Sequence, residues 1–368
     1  MQRLRVKDII PSAPMIIRIK VILILIFGSY GAFGQGNTYI GLRSSVGHLL
    51  PHSPSMRHLR QGRSLSFEAS YFEESNGKKP WHGKLNNPRQ GVAVYYLDSG
   101  NEKHIGSITS VYGFMDFPIF KSKKISNYFK FGSGISYVEK SFDRFENYQN
   151  LAIGSSLNLG FVFANYFEVS TGNFNVCVGL SLMHASSGAF TLPNLGVNFG
   201  AFDFRLSYLL NSSDERVLDH EITVNKKWNF DLTFSSGPRA VNAVDKKKYF
   251  IHTLQMDVSR NLSSLLSLTG GLDVFHNTAI VKLDGSLTGK KELIQLGAKL
   301  GGSLNMDDVS LFLQMGNYVL NESNFYGSLY SRFGGRYLYN DRYILNFGLK
   351  THGAKADNFE LGIGYRIL

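Results

Sequence analysis

From Asn37 to the C-terminus, apolar and polar residues alternate with a period of two in segments of about ten residues, separated by turn residues. Ser64–Tyr71 sets Leu65, Phe67, Ala69 and Tyr71 against Ser64, Ser66, Glu68 and Ser70. Val309–Met315 sets Val309, Leu311, Leu313 and Met315 against Ser310, Phe312 and Gln314, and Tyr343–Leu349 repeats the pattern. In the last segment Phe359, Leu361, Ile363, Tyr365 and Ile367 alternate with Glu360, Gly362, Gly364 and Arg366. One face is apolar throughout and the other holds a glutamate and an arginine, which suits strands with lipid outside and a polar lumen inside. Further strands are predicted at Thr38–Gly47, Val92–Leu97, Ile105–Met115, Tyr128–Val138, Gly154–Ala164, Val176–Ser186, Phe202–Tyr208, Asn229–Ser235, Tyr249–Val258, Leu265–Phe275 and Leu293–Leu304. The fold expected is all-β, a transmembrane antiparallel β-barrel of the outer membrane with roughly 14–16 strands, at least eight, in even number. The polar stretches His48–Gly62, Glu73–Arg89 and Asn211–Asn225 read as loops, and Asn305–Asp308 as a tight turn. Neither a composition break nor a repeat interrupts the pattern, so residues 35–368 are expected to form a single barrel domain.

The first 34 residues stand apart. Arg3, Arg5, Lys7, Arg18 and Lys20 precede the apolar run Val21–Phe27, and the small-residue stretch Gly28–Gly34 offers a cleavage site, as in a secretory signal peptide. These residues hold five basic side chains and one acidic, so about +7 of the formal +11 charge stays with the mature chain and suits an anionic surface. Among 368 residues, 38 glycines, 28 phenylalanines and 19 tyrosines against nine prolines fit a barrel with aromatic girdles. Cys177 is the only cysteine, which excludes a disulfide framework and a cysteine metal site. The chain has no glycine-rich phosphate loop, metal-ligand spacing or nucleic-acid motif, so neither cofactor nor nucleic-acid partner is expected.

Candidate chemistry concentrates in the hairpin Val176–Tyr208. Val176, Val178, Leu180 and Leu182 share a strand face that continues to His184 and Ser186. On the next strand Phe202, Phe204, Leu206 and Tyr208 share a face that runs back to Asn198, while Asp203 falls on the lumen side. A histidine and a serine two apart on one face lie within hydrogen-bonding reach, and a neighbouring amide could fix the imidazole tautomer; that is the arrangement of an activated serine nucleophile. The backbone N–H groups of Ser187 and Gly188, or the Ser187 hydroxyl, are the candidates for stabilising an oxyanion. With the mature N-terminus periplasmic, Val176–Ser186 counts as the seventh strand, and His184 and Ser186 fall at its extracellular end. His48, His52 and His58 read as loop histidines, Trp81-His82 as a loop anchor, Asp273 and His276 as a lumen pair, and His352 as a structural residue near a turn.

The stretch His184-Ala185-Ser186-Ser187-Gly188, followed by Pro193-Asn194-Leu195-Gly196-Val197-Asn198, resembles the outer-membrane lipid A 3-O-deacylases of the PagL type. Their pattern is His-x-Ser-Asn, then Pro-Asn-x-Gly, then an acidic residue two positions on. The resemblance implies that Ser186 is the nucleophile and His184 the general base, that Asn198 stands where the family has glutamate, and that Ser187 replaces an asparagine. It further implies a carboxylic ester hydrolase acting on lipid A in the outer leaflet of a diderm bacterium's outer membrane. This chain is about twice the length of the eight-stranded family members. A non-catalytic barrel, either a channel or a lipopolysaccharide-binding degenerate member, stays open as the second reading, and a periplasmic β-sandwich as a third. Oligomeric state is left undetermined.

Overall fold

In the computed structural model, residues 36–212, 227–245, 247–287, 289, 293–323, 325–353 and 355–368 are described. The proposed signal segment lies outside them. Sixteen strands follow one another in the chain: β1 Thr38–Leu49, β2 Ser64–Glu74, β3 Arg89–Asp98, β4 Ser107–Lys121, β5 Ile125–Val138, β6 Leu157–Thr171, β7 Phe174–Ser186, β8 Val197–Asn211, β9 Trp228–Arg239, β10 Tyr249–Asn261, β11 Leu266–Asn277, β12 Ile294–Met306, β13 Val309–Leu320, β14 Leu329–Tyr339, β15 Tyr343–His352 and β16 Lys355–Arg366. The strand count meets expectation, but the closure does not. Instead of one cylinder, β1–β8 form one closed barrel and β9–β16 a second. In the first, β1 pairs antiparallel with both β2 and β8. In the second, β9 pairs with both β10 and β16. The break falls between β8 and β9, in the polar stretch read above as one more loop.

The lumens give the physical reason for two small barrels. A cylinder of about eight strands has an interior that side chains alone can fill, whereas one of about sixteen encloses water. Inward positions here carry long charged and aromatic groups that meet across a narrow space. In the first barrel Glu68 is paired with Arg43 and Lys130 and accepts from the Tyr112 hydroxyl. One layer away, Arg89 makes two 2.7 Å bonds to Glu168, while Tyr166 donates to Asp116 at 2.6 Å. In the second, Lys299 reaches Asp257 at 2.7 Å and Asp273 at 2.8 Å, and Arg332 bridges Asp273 at 3.0 Å to Glu360 at 2.7 Å. Charges withdrawn from water persist only when paired in this manner. Asp203 faces the first lumen as expected, held by Arg43 and Ser181.

Outside, Leu42, Phe67, Leu180, Phe202, Leu300, Leu313 and Ile363 are among the exposed apolar side chains, a surface that suits hydrocarbon rather than water. The reading of Asp273 and His276 as a lumen pair is corrected. Asp273 is inside, but three residues further along the strand the two-residue period turns His276 outward, where its ring stacks on His252 at 5.9 Å. Trp81 anchors its loop as expected, within an apolar cluster with Met115 of the first barrel and Met306 of the second. Beside it Lys79 pairs with Asp307 at 2.9 Å, so the two barrels touch at the end that holds the β2–β3 and β12–β13 connections.

Candidate active site

β7 is the seventh strand, and His184 and Ser186 lie at its far end, where the β7–β8 connection begins. Strand parity turns both outward, above Val178 and Leu180, while Cys177, Met183 and Ala185 point into the barrel. β8 returns alongside with His184 directly opposite Asn198. His184 Nε2 is 3.0 Å from Ser186 Oγ, and His184 Nδ1 is 2.7 Å from Asn198 Oδ1. An amide oxygen can only accept, so Nδ1 carries the proton and Nε2 is left to accept from the serine hydroxyl. The three residues expected from the sequence therefore meet in the order that a nucleophile, its base and an orienting group require.

A fourth residue joins them. The Asn198 amide Nδ2 donates to His52 Nδ1 at 3.0 Å. His52 lies in the β1–β2 connection, and it reaches Asn198 because β1 closes the barrel against β8, with Leu50 N–H donating to Asn198 O at 2.8 Å. Its contact orients the amide: a flipped Asn198 would turn two donors toward a protonated Nδ1 and its oxygen away. The reading of His52 as an ordinary loop histidine is thus corrected, whereas His48 and His58 contact the backbone oxygens of Gly62 and Gln149. On the other side Phe161 of β6 stands opposite His184, with ring centroids 6.3 Å apart.

The β7–β8 connection corrects the oxyanion expectation for Ser187. Its N–H donates to Asn194 Oδ1 at 2.7 Å, and its hydroxyl lies 3.0 Å from both Asn194 Oδ1 and the Thr191 carbonyl. Those donors are committed to shaping the loop. Among the described residues Gly188 N–H has no such partner and stays available as a backbone donor two residues from Ser186. Gly188 and Ala189 take left-handed φ values of 58° and 63° in succession. Such a conformation is unfavourable for alanine and persists where surrounding contacts enforce it. Gly196, at φ 79°, is required for a different reason: a methyl group there would lie 2.7 Å from His184 Cε1. Asn194 and Gly196 were visible in the sequence as Pro193-Asn194-Leu195-Gly196, but their jobs were not. The described residues show no grouping of histidine, cysteine and acidic side chains suited to a metal.

Comparison with known proteins divides the chain at the same place as the topology. A family model described as lipid A 3-O-deacylase (PagL) matches residues 65–207, and one described as acyloxyacyl hydrolase, C-terminal domain, matches residues 228–368. The crystal structure of the outer membrane enzyme PagL is similar at 17% identity and a TM-score of 0.34, covering 45% of this chain and 97% of its own. That of Neisserial surface protein A is similar at 11% identity and a TM-score of 0.34, covering 48% and 100%. No curated protein matches.

Proposed function

Since the chain belongs to the lipid A 3-O-deacylase family in a two-barrel form, we propose that its N-terminal barrel is a serine esterase that removes an ester-linked acyl chain from lipid A. Family and fold together make it an outer-membrane β-barrel protein, and lipid A deacylation is the family's activity. The observation that carries the mechanism is the unbroken chain in which Ser186, His184 and Asn198, on the outward face of β7 and β8, are joined by His52 from the β1–β2 connection. A soluble substrate would have no reason to find it there; an acyl chain already in the membrane would.

In the proposed reaction Ser186 Oγ attacks the ester carbonyl while His184 Nε2 takes its proton. The oxyanion forms beside Gly188 N–H, and collapse expels the sugar oxygen, which receives the proton from His184. Water, deprotonated by the same imidazole, then attacks the acyl-enzyme and frees the fatty acid and the serine. Asn198 supplies no negative charge to the imidazolium, but its oxygen holds the productive tautomer. That distinction matters, because an amide in a triad costs about 10⁴ in rate when it enforces the wrong tautomer. Lipid A stripped of phosphates is expected to be a poorer substrate, since the basic mature chain favours an anionic surface.

Mass spectrometry of lipid A incubated with purified protein tests the reading. Wild type should remove one acyl mass and Ser186→Ala none. Activity lost in Asn198→Ala but kept in Ser186→Ala would overturn the assignment. The paired, side-chain-filled lumens weigh against a channel, and planar bilayers should show no stepwise conductance.

A further inference from the structure

The second barrel carries no His-x-Ser hairpin of its own, yet it touches the first at the very loop that follows Ser186. Three contacts converge there. Ala240, just past β9, donates its N–H to Ala189 O at 2.9 Å. Lys248, just before β10, donates Nζ to Phe190 O at 2.6 Å and sits 4.9 Å from the centre of the Phe190 ring. The Phe359 ring of β16 lies against the Gly188 Cα so closely that a methyl group built on Gly188 would fall 2.2 Å from its Cε2.

These contacts fall on the two consecutive left-handed residues and the one after them. The strained turn is therefore held from two sides: Asn194 of its own loop holds the Ser187 end, and Ala240, Lys248 and Phe359 of the second barrel hold the Gly188–Phe190 end. We propose that the C-terminal barrel is the positioning device for the oxyanion turn, keeping Gly188 N–H aimed at the carbonyl that Ser186 attacks. Phe359, Ala240 and Lys248 are its working residues. The proposal rests on the esterase reading above for its catalytic consequence, but not for the brace itself. A donor fixed before the reaction stabilises a developing oxyanion without reorganisation, whereas a turn free to relax from left-handed φ must be reordered at every turnover.

The test uses the full chain in detergent–lipid micelles, with Phe359→Ala, Phe359→Tyr and Ala240→Pro beside wild type. Migration of unheated protein on SDS gels checks that both barrels are closed. Amide hydrogen exchange over residues 187–194 reads the brace, and lipid A deacylation reads catalysis. Phe359→Ala and Ala240→Pro should speed exchange in the turn and lower kcat roughly tenfold with KM within about twofold, as expected when a backbone donor to the oxyanion is misaligned. Phe359→Tyr, which keeps the ring, should restore both. Unchanged exchange in Phe359→Ala and Ala240→Pro overturns the brace. Faster exchange with unchanged kcat overturns its catalytic role. A wild type that releases no acyl chain counts against the esterase reading alone, because exchange still reports on the brace.

Discussion

Each barrel places a histidine near the far end of its seventh strand, and the two have opposite fates. His184 of β7 faces outward, with Ser186 on the same face and Asn198 opposite. His352 of β15 stacks at 3.8 Å on Tyr326, shares a hydrogen bond with the Tyr318 hydroxyl at 2.9 Å and lies 3.8 Å from Asp357, which also pairs with Lys350 and Arg239. It is woven into the charged network that plugs the second barrel. Fold, strand order and residue type are shared, so none of them makes a histidine chemically available. What differs is the face and the next polar neighbour. An outward histidine with a serine two residues on can meet a lipid; an inward one among tyrosines and an aspartate is a structural hydrogen-bonding group.

The sharpest way to break this contrast is to remove each histidine. His184→Ala should lower deacylation by about a thousandfold or more, as loss of a triad base does, while His352→Ala leaves turnover near wild type. Equal losses would mean that the second barrel takes part in chemistry. Next come the two glycines that follow the histidines. Gly196→Ala drives a methyl group toward His184 and should cost roughly a hundredfold in kcat, because misplacement of about 1 Å at a reacting group has that effect. Gly353 also has a left-handed φ, of 59°, but open space around it, so Gly353→Ala should cost only about 1–2 kcal/mol of stability and no activity. His52→Ala frees the Asn198 amide to flip and should reduce kcat about three- to tenfold, the effect of one lost neutral hydrogen bond of about 1 kcal/mol. Retention of full activity would show that Asn198 is oriented by other means. On the structural side, Arg332→Met takes from Glu360 its cationic partner and leaves Asp273 with Lys299 alone in the second lumen. It should cost about 3–5 kcal/mol of barrel stability, read as a lower unfolding midpoint in urea.

Much of this was legible in advance, for a local reason. Strand parity is a property of neighbouring residues, so alternation alone set Leu180, His184 and Ser186 on one face and Asp203 on the other. The same alternation missed β14, Leu329–Tyr339, where inward Arg332 and Arg336 and two central glycines, Gly334 and Gly335, blur the apolar face. It also misplaced His276, because pairing it with Asp273 ignored that a spacing of three reverses the face.

The sequence by itself determined the class of structure, most of the strands and the meeting of Ser186, His184 and Asn198, since each depends on contacts within one strand or between hairpin partners. Tertiary structure alone decided how many strands closed each barrel, because every strand pairs locally in the same way whether the sheet closes after eight or after sixteen. From that closure came the rest. Only with β1 against β8 does His52 arrive beside Asn198. Only with a second barrel alongside do Phe359, Ala240 and Lys248 reach the turn at Gly188. These partners are far apart in the chain, and no short pattern of residue types records a contact that depends on where a sheet closes.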